Sequence, residues 1–115
     1  MNLKQFYETI GVNYDNVLRR LRKESLIEKY LMMFQQDQTI YLLTAAREGY
    51  DYEQMFRAAH TLKGMAMNLE LTPLAMAAAD LTEYLRSRNP EDCRIVDEKY
   101  EKVMTEYKII QNLLQ

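Results

Sequence analysis

Residues 51–68 read DYEQMFRAAHTLKGMAMN. Placed on a helix at about 100° per residue with Leu62 at zero, Met55, Ala58, Ala59, Leu62, Met65 and Ala66 fall within about 60° of Leu62, and Leu69 continues the row. A stripe of that width buries against a core, so the segment is a helix packed along one face. Asp51 is its N-cap, because an Asp side chain there accepts an otherwise orphaned backbone N–H. The helix runs to about Asn68.

Working outward, the same period recurs. Upstream, Leu3, Phe6, Tyr7 and Ile10 share a face that ends at Gly11, a C′ residue. Asn13 caps a segment carrying Tyr14, Val17, Leu18 and Leu21, and the next carries Leu26, Ile27, Tyr30, Leu31 and Phe34. QQDQT breaks the pattern before a short helix through Ile40, Leu43 and Ala46 that ends near Gly49. Downstream, Thr72 is expected to cap a helix with Pro73 at its first position, where a missing N–H costs nothing. That helix buries Leu74, Ala77, Ala78, Leu81 and Leu85. SRNPED separates it from a last helix whose Val96, Tyr100, Val103, Tyr107, Ile110 and Leu114 recur at alternating spacings of four and three. Short loops make successive long helices antiparallel neighbours. The expected fold is all-α: an up-and-down antiparallel four-helix bundle with an additional short N-terminal helix. One domain fills residues 1–115, with 1–24 an N-terminal helical extension and 25–115 the bundle.

At 115 residues there is room for one core. Apolar residues make up 48%, charged residues 28%, and the net charge is −2, which describes a globular protein without a general attraction to nucleic acid or anionic lipid. The lone Cys93 cannot form an internal disulfide and points to a reducing compartment. MNLKQFYETI lacks the basic and apolar regions of a signal peptide, and no apolar run spans a bilayer. A cytoplasmic protein is expected.

His60 is the only histidine. On the same wheel it lies about 160° from Leu62, with Gly64 mirrored beside it, Arg57 and Met67 at about 140°, Phe56 at about 120° and Lys63 at about 100°. The imidazole therefore faces away from the core, which sets aside a packed core histidine. An inert surface histidine leaves Gly64 unexplained, because a mid-helix glycine costs up to about 1 kcal/mol relative to alanine. Its return is room for something large beside His60. Lys63, three residues on, brings a cation to the same spot. Imidazole titrates near pH 6.5 in unstructured peptides (about that value in most proteins too), so a neutral nitrogen is available at pH 7. A nucleophilic nitrogen, a cation and a cleared space suit a phosphoryl group, whose transfer depends chiefly on charge stabilisation.

At AHTLKG the sequence resembles the histidine-containing phosphotransfer (HPt) family, and FQQDQTIYLLTAAREGYDYEQMFRAAHTLKG and NLELTPLAMAAADLTEYLRS are similar to its pattern. The resemblance is close over Leu26–Arg88 and by helix pattern elsewhere. It implies that His60 accepts a phosphoryl group from a receiver-domain aspartate and passes it to another receiver. Lys63 would contact the phosphoryl oxygens and Gly64 would give access. It also implies no kinase activity and no cofactor, with Mg²⁺ belonging to the receiver. The expected partners are response-regulator receiver domains, including one on a hybrid sensor kinase, met by a monomer. Two positions depart from the family: Met65 where a small residue is common, and Glu70 where glycine is common. Met65 faces inward and Glu70 bears on the turn after the helix.

Other chemistries lack their residues. A sensor-kinase dimerisation helix would carry an acid directly after the histidine, where Thr61 stands. A di-iron bundle would need Glu-x-x-His, but Arg57 occupies that position. One His and one Cys are too few for zinc, and Cys-x-x-Cys-His is absent. Eight methionines in a bundle are more often gap-filling core than haem ligands. RRLRKE presents Arg19, Arg20, Arg22 and Lys23 as a solvated face, not a nucleic-acid site. Phe56 has two readings, burial under a neighbouring segment or, with Arg57 and Met67, a docking surface for the receiver. The rival to a phosphocarrier is a non-phosphorylated receiver-docking or helical interaction module.

Overall fold

The computed structural model describes residues 1–115 and contains seven helices: α1 (Leu3–Thr9), α2 (Tyr14–Leu21), α3 (Glu24–Gln36), α4 (Thr39–Glu48), α5 (Tyr52–Asn68), α6 (Thr72–Tyr84) and α7 (Cys93–Leu114). The fold is all-α. Helices α4 to α7 form the four-helix bundle: α5 lies between α4 and α6, and α7 closes the ring against α6 and α4. The α4–α7 seam is polar at its edge, where Thr44 and Tyr100 share a hydrogen bond of 2.9 Å and Arg47 pairs with Asp97 at 3.0 Å. Inside, Leu43, Met55, Leu62, Leu74, Leu81 and Val103 are fully buried. Ala59, Ala66 and Ala78 are buried between them, and such small side chains let helix axes approach closely.

Side-chain caps account for four of the seven helix starts. The Asp51 carboxylate accepts the Gln54 N–H at 3.1 Å, and Glu53 adds negative charge to the first turn of α5, where the helix dipole favours it. Asn13 caps α2 and Asp92 caps α7 in the same way. Asn2 and Gln5 bond reciprocally at the start of α1, and Gly11 beyond its end takes φ 81°. Helix α6 differs from expectation by one residue. Thr72 lies inside the helix, Leu71 stands at the N-cap without a side-chain bond, and Pro73 sits in the first turn. Leu71 is fully buried, so tertiary packing sets that end of α6 instead of a polar cap.

Three helices precede the bundle where one short helix was expected, α1, α2 and α3, so the bundle begins at Thr39 and not at residue 25. All three cover the end of the bundle where α5 turns into α6 and α7 terminates. Tyr7 is fully buried there, and its hydroxyl donates to the Leu69 carbonyl at 2.7 Å. Phe34 packs on Tyr107 with ring centroids 5.6 Å apart, and the Gln35 amide donates to the Leu114 carbonyl at 3.4 Å. Tyr30, expected in the buried stripe of α3, is exposed, because Ile27, Leu31 and Phe34 carry that stripe and Tyr30 sits at its edge. Met65, expected inward, is only partly buried. Glu70 occupies the α5–α6 turn with φ 57°, the left-handed region a glycine enters freely. Its carboxylate pairs with Arg20 at 3.4 Å, which ties the turn to α2.

Candidate functional site

Halfway along α5, His60 is exposed, as the wheel predicts. Neither ring nitrogen engages in a hydrogen bond or ion pair with the chain, so both are available to a visitor. One aromatic ring stacks on the imidazole: Phe56, one turn earlier, lies parallel to within 2° at a centroid distance of 5.9 Å. Lys63, one turn later, is half-buried. None of the eight ion pairs uses it, so its charge is not neutralised by a neighbouring carboxylate.

Gly64 lies about 6 Å along the axis from His60 and about 40° round the helix from it. Its backbone is ordinary helix, so no special conformation demands glycine here. A Cβ built at this position would meet no atom within 4 Å. Nothing inside the fold needs the missing side chain. The space it leaves opens outward, onto the face that carries His60.

The three residues expected to dock a partner separate. Arg57 is exposed, with its Nε on Glu53 at 2.8 Å. Met67 is 52% exposed. Phe56 is only 8% exposed, so it is not part of an open surface. Of its two readings burial holds, and the cover includes, in place of a neighbouring helix or the N-terminal segment, a pair of guanidiniums from the α6–α7 connection. The Arg88 Cζ lies 3.7 Å from the ring centroid and that of Arg86 5.8 Å. Arg88 reaches Glu53 as well, at 3.0 Å, so one carboxylate joins Arg57 and Arg88.

Two grooves beside α5 escaped the sequence reading. One, of about 560 Å³, runs between α4 and α5 past Leu42, Arg57, Ala58 and Thr61. The other, of about 540 Å³, lies between α2, α3 and α5 and is lined by Tyr30, Met33, Phe34 and Met65, with Arg20 and Asn68 at its rim. Leu42 and Met33 are largely exposed. Each is an apolar residue off its helix's buried stripe, and that was the signal available in the sequence.

No group of three or more His, Cys, Asp or Glu residues is placed to hold a metal. No helix is long and apolar enough to cross a membrane. The arrangement is thus a helical bundle presenting one imidazole with free nitrogens beside an unpaired ammonium and a cleared space. The Hpt domain model matches residues 26–115, and the chain belongs to the Hpt domain family. Members of that family are phosphocarrier modules of two-component phosphorelays, and they interact with receiver domains. Comparisons with curated proteins and with solved structures gave no significant match.

Proposed function

We propose that His60 is the phosphoryl acceptor and donor of this chain, taking the group from one receiver-domain aspartate and delivering it to another. The observation that carries the reading is Gly64: a mid-helix glycine whose missing side chain relieves nothing within the protein makes sense if a second protein closes on that face. The unprotonated ring nitrogen attacks phosphorus of the aspartyl phosphate. The N–P bond forms as the P–O bond to the aspartate breaks, and the electron pair leaves on the carboxylate. The proton on the other ring nitrogen stays in place. Delivery to the second receiver is the reverse step with a new carboxylate. Lys63 faces the equatorial oxygens and offsets their charge, the main demand of phosphoryl transfer. Mg²⁺ is supplied by the receiver, and the chain has no kinase activity of its own. A receiver domain, including one on a hybrid sensor kinase, docks over Arg57, Met67 and the exposed Leu42.

Incubation with a phosphorylated receiver tests this. The chain is expected to take up an acid-labile, base-stable label, and His60→Gln is expected to remove it. Labelling that persists in His60→Gln overturns the assignment. Stable receiver binding without any labelling would favour a docking module instead.

A further inference from the structure

The imidazole of His60 is held by no polar contact, yet a nucleophile must be aimed to react well. The one ordered aromatic contact to it is the parallel ring of Phe56. What holds Phe56 lies outside α5. Arg88, in the connection between α6 and α7, places its guanidinium carbon 3.7 Å from the centroid of that ring. Three bonds fix Arg88 in turn: its backbone N–H donates to Leu85 O at 2.8 Å, its Nε to Glu53 Oε2 at 3.0 Å, and its NH1 to Arg86 O at 2.6 Å. Glu53 is anchored from the other side by Arg57. The Arg88 backbone also sits at φ 59°, a conformation that a non-glycine residue keeps only when its surroundings hold it there. The Phe56 ring thus contacts both the Arg88 guanidinium and the His60 imidazole, in a series built across two parts of the chain.

We propose that Arg88 is a positioning residue for phosphotransfer. Clamped by Glu53, it presses on Phe56, and the Phe56 ring holds the His60 imidazole in the rotamer that offers its free edge to the incoming phosphoryl group. This rests on the reading of His60 as the phosphoryl acceptor. The flat guanidinium matters for this role, since it can lie on an aromatic face while an ammonium is a compact point charge.

The test uses the full chain with Arg88→Gln, Arg88→Lys, Phe56→Leu and the double variant Phe56→Leu with Arg88→Gln. Two readouts apply: single-turnover transfer over a range of phosphorylated receiver concentrations, and the ring C–H signals of His60, unambiguous because the chain has one histidine. Arg88→Gln is expected to lower the saturating rate about tenfold, or 1.4 kcal/mol of barrier, while the half-saturating concentration stays within about twofold. The ring signals should shift toward those of a freely rotating imidazole. Arg88→Lys should not restore the rate. Phe56→Leu should match Arg88→Gln, and the double variant should lose nothing further, as members of one coupled unit behave. Wild-type ring signals in Arg88→Gln, or full rescue by lysine, overturn the proposal, the latter by showing that charge alone is needed. If the wild-type chain takes no phosphoryl group from any receiver, the phosphocarrier reading fails, while the ring signals still decide whether Arg88 orders the imidazole.

Discussion

Replacing Gly64 by alanine should move stability and phosphotransfer in opposite directions. Glycine inside a helix is less favourable than alanine by about 1 kcal/mol, through backbone entropy and lost propensity. At this site nothing offsets the gain, because the added Cβ meets no atom within 4 Å. The variant should therefore be more stable by about 1 kcal/mol, a rise in Tm of about 4 °C for a chain of this size. Transfer should suffer. The methyl group projects onto the face where the receiver would seat against His60, and an extra methyl in a well-packed contact costs about 1–3 kcal/mol. At about 1.4 kcal/mol per factor of ten, that is a loss of about fivefold to a hundredfold in transfer rate. Gly64→Gln, also a better helix former than glycine, should abolish transfer while keeping the stability gain. Chemical denaturation and rapid-quench transfer from a phosphorylated receiver measure the two effects. A destabilised alanine variant would refute the open space described here. A stable glutamine variant that transfers at the wild-type rate would refute the idea that the space serves a partner.

Lys63→Ala should slow transfer by about tenfold, the equivalent of about 1.4 kcal/mol of charge stabilisation, with little change in Tm, since the ammonium has no ion-pair partner in the fold; an unchanged rate would remove the lysine from the site. Tyr7→Phe deletes the buried bond to the Leu69 carbonyl and should cost about 1–2 kcal/mol in denaturant titration, loosening the α1–α3 cap, whereas an unaffected midpoint would mean that the bond contributes nothing. Asp92 accepts hydrogen bonds from the Arg94 side chain and backbone, which hold its carboxyl below its ordinary range. A carboxyl depressed in the native state adds stability above its unfolded-state pKa and loses it as pH falls through the native value. Wild type should therefore lose more stability on acidification below about pH 4 than Asp92→Asn, which keeps the cap but cannot titrate; equal acid losses would contradict this.

What the sequence disclosed was what neighbouring residues decide. The Asp51 cap, the extent of α5, Gly11 beyond α1 and the spacing in α7 depend on side chains within a turn or two of one another. So does the outward placement of His60, Lys63 and Gly64, which share two turns of one helix and follow from its period alone. The rest depends on contacts between distant segments. Phe56 lies on the outward half of α5, where the sequence leaves burial and docking both open, and Arg88, far along the chain, decides for burial by folding back over it. Tyr30 fits the period of α3 but sits where no neighbour covers the stripe's edge. Thr72 has the chemistry of a cap, yet the buried Leu71 takes that place because packing, not a hydrogen bond, starts α6. Glu70 accepts a left-handed backbone that local preference disfavours, helped by an ion pair to a residue of α2.

The proposed function requires the phosphoryl group to reside on the His60 ring. Transfer from a labelled receiver, followed by proteolysis under alkaline conditions and mass spectrometry of the peptide spanning residues 57–63, measures this directly. One phosphoryl group is expected on that peptide, assigned to the imidazole and released by mild acid. A phosphoryl group located on any other residue, or none with every receiver that binds the chain, would contradict it.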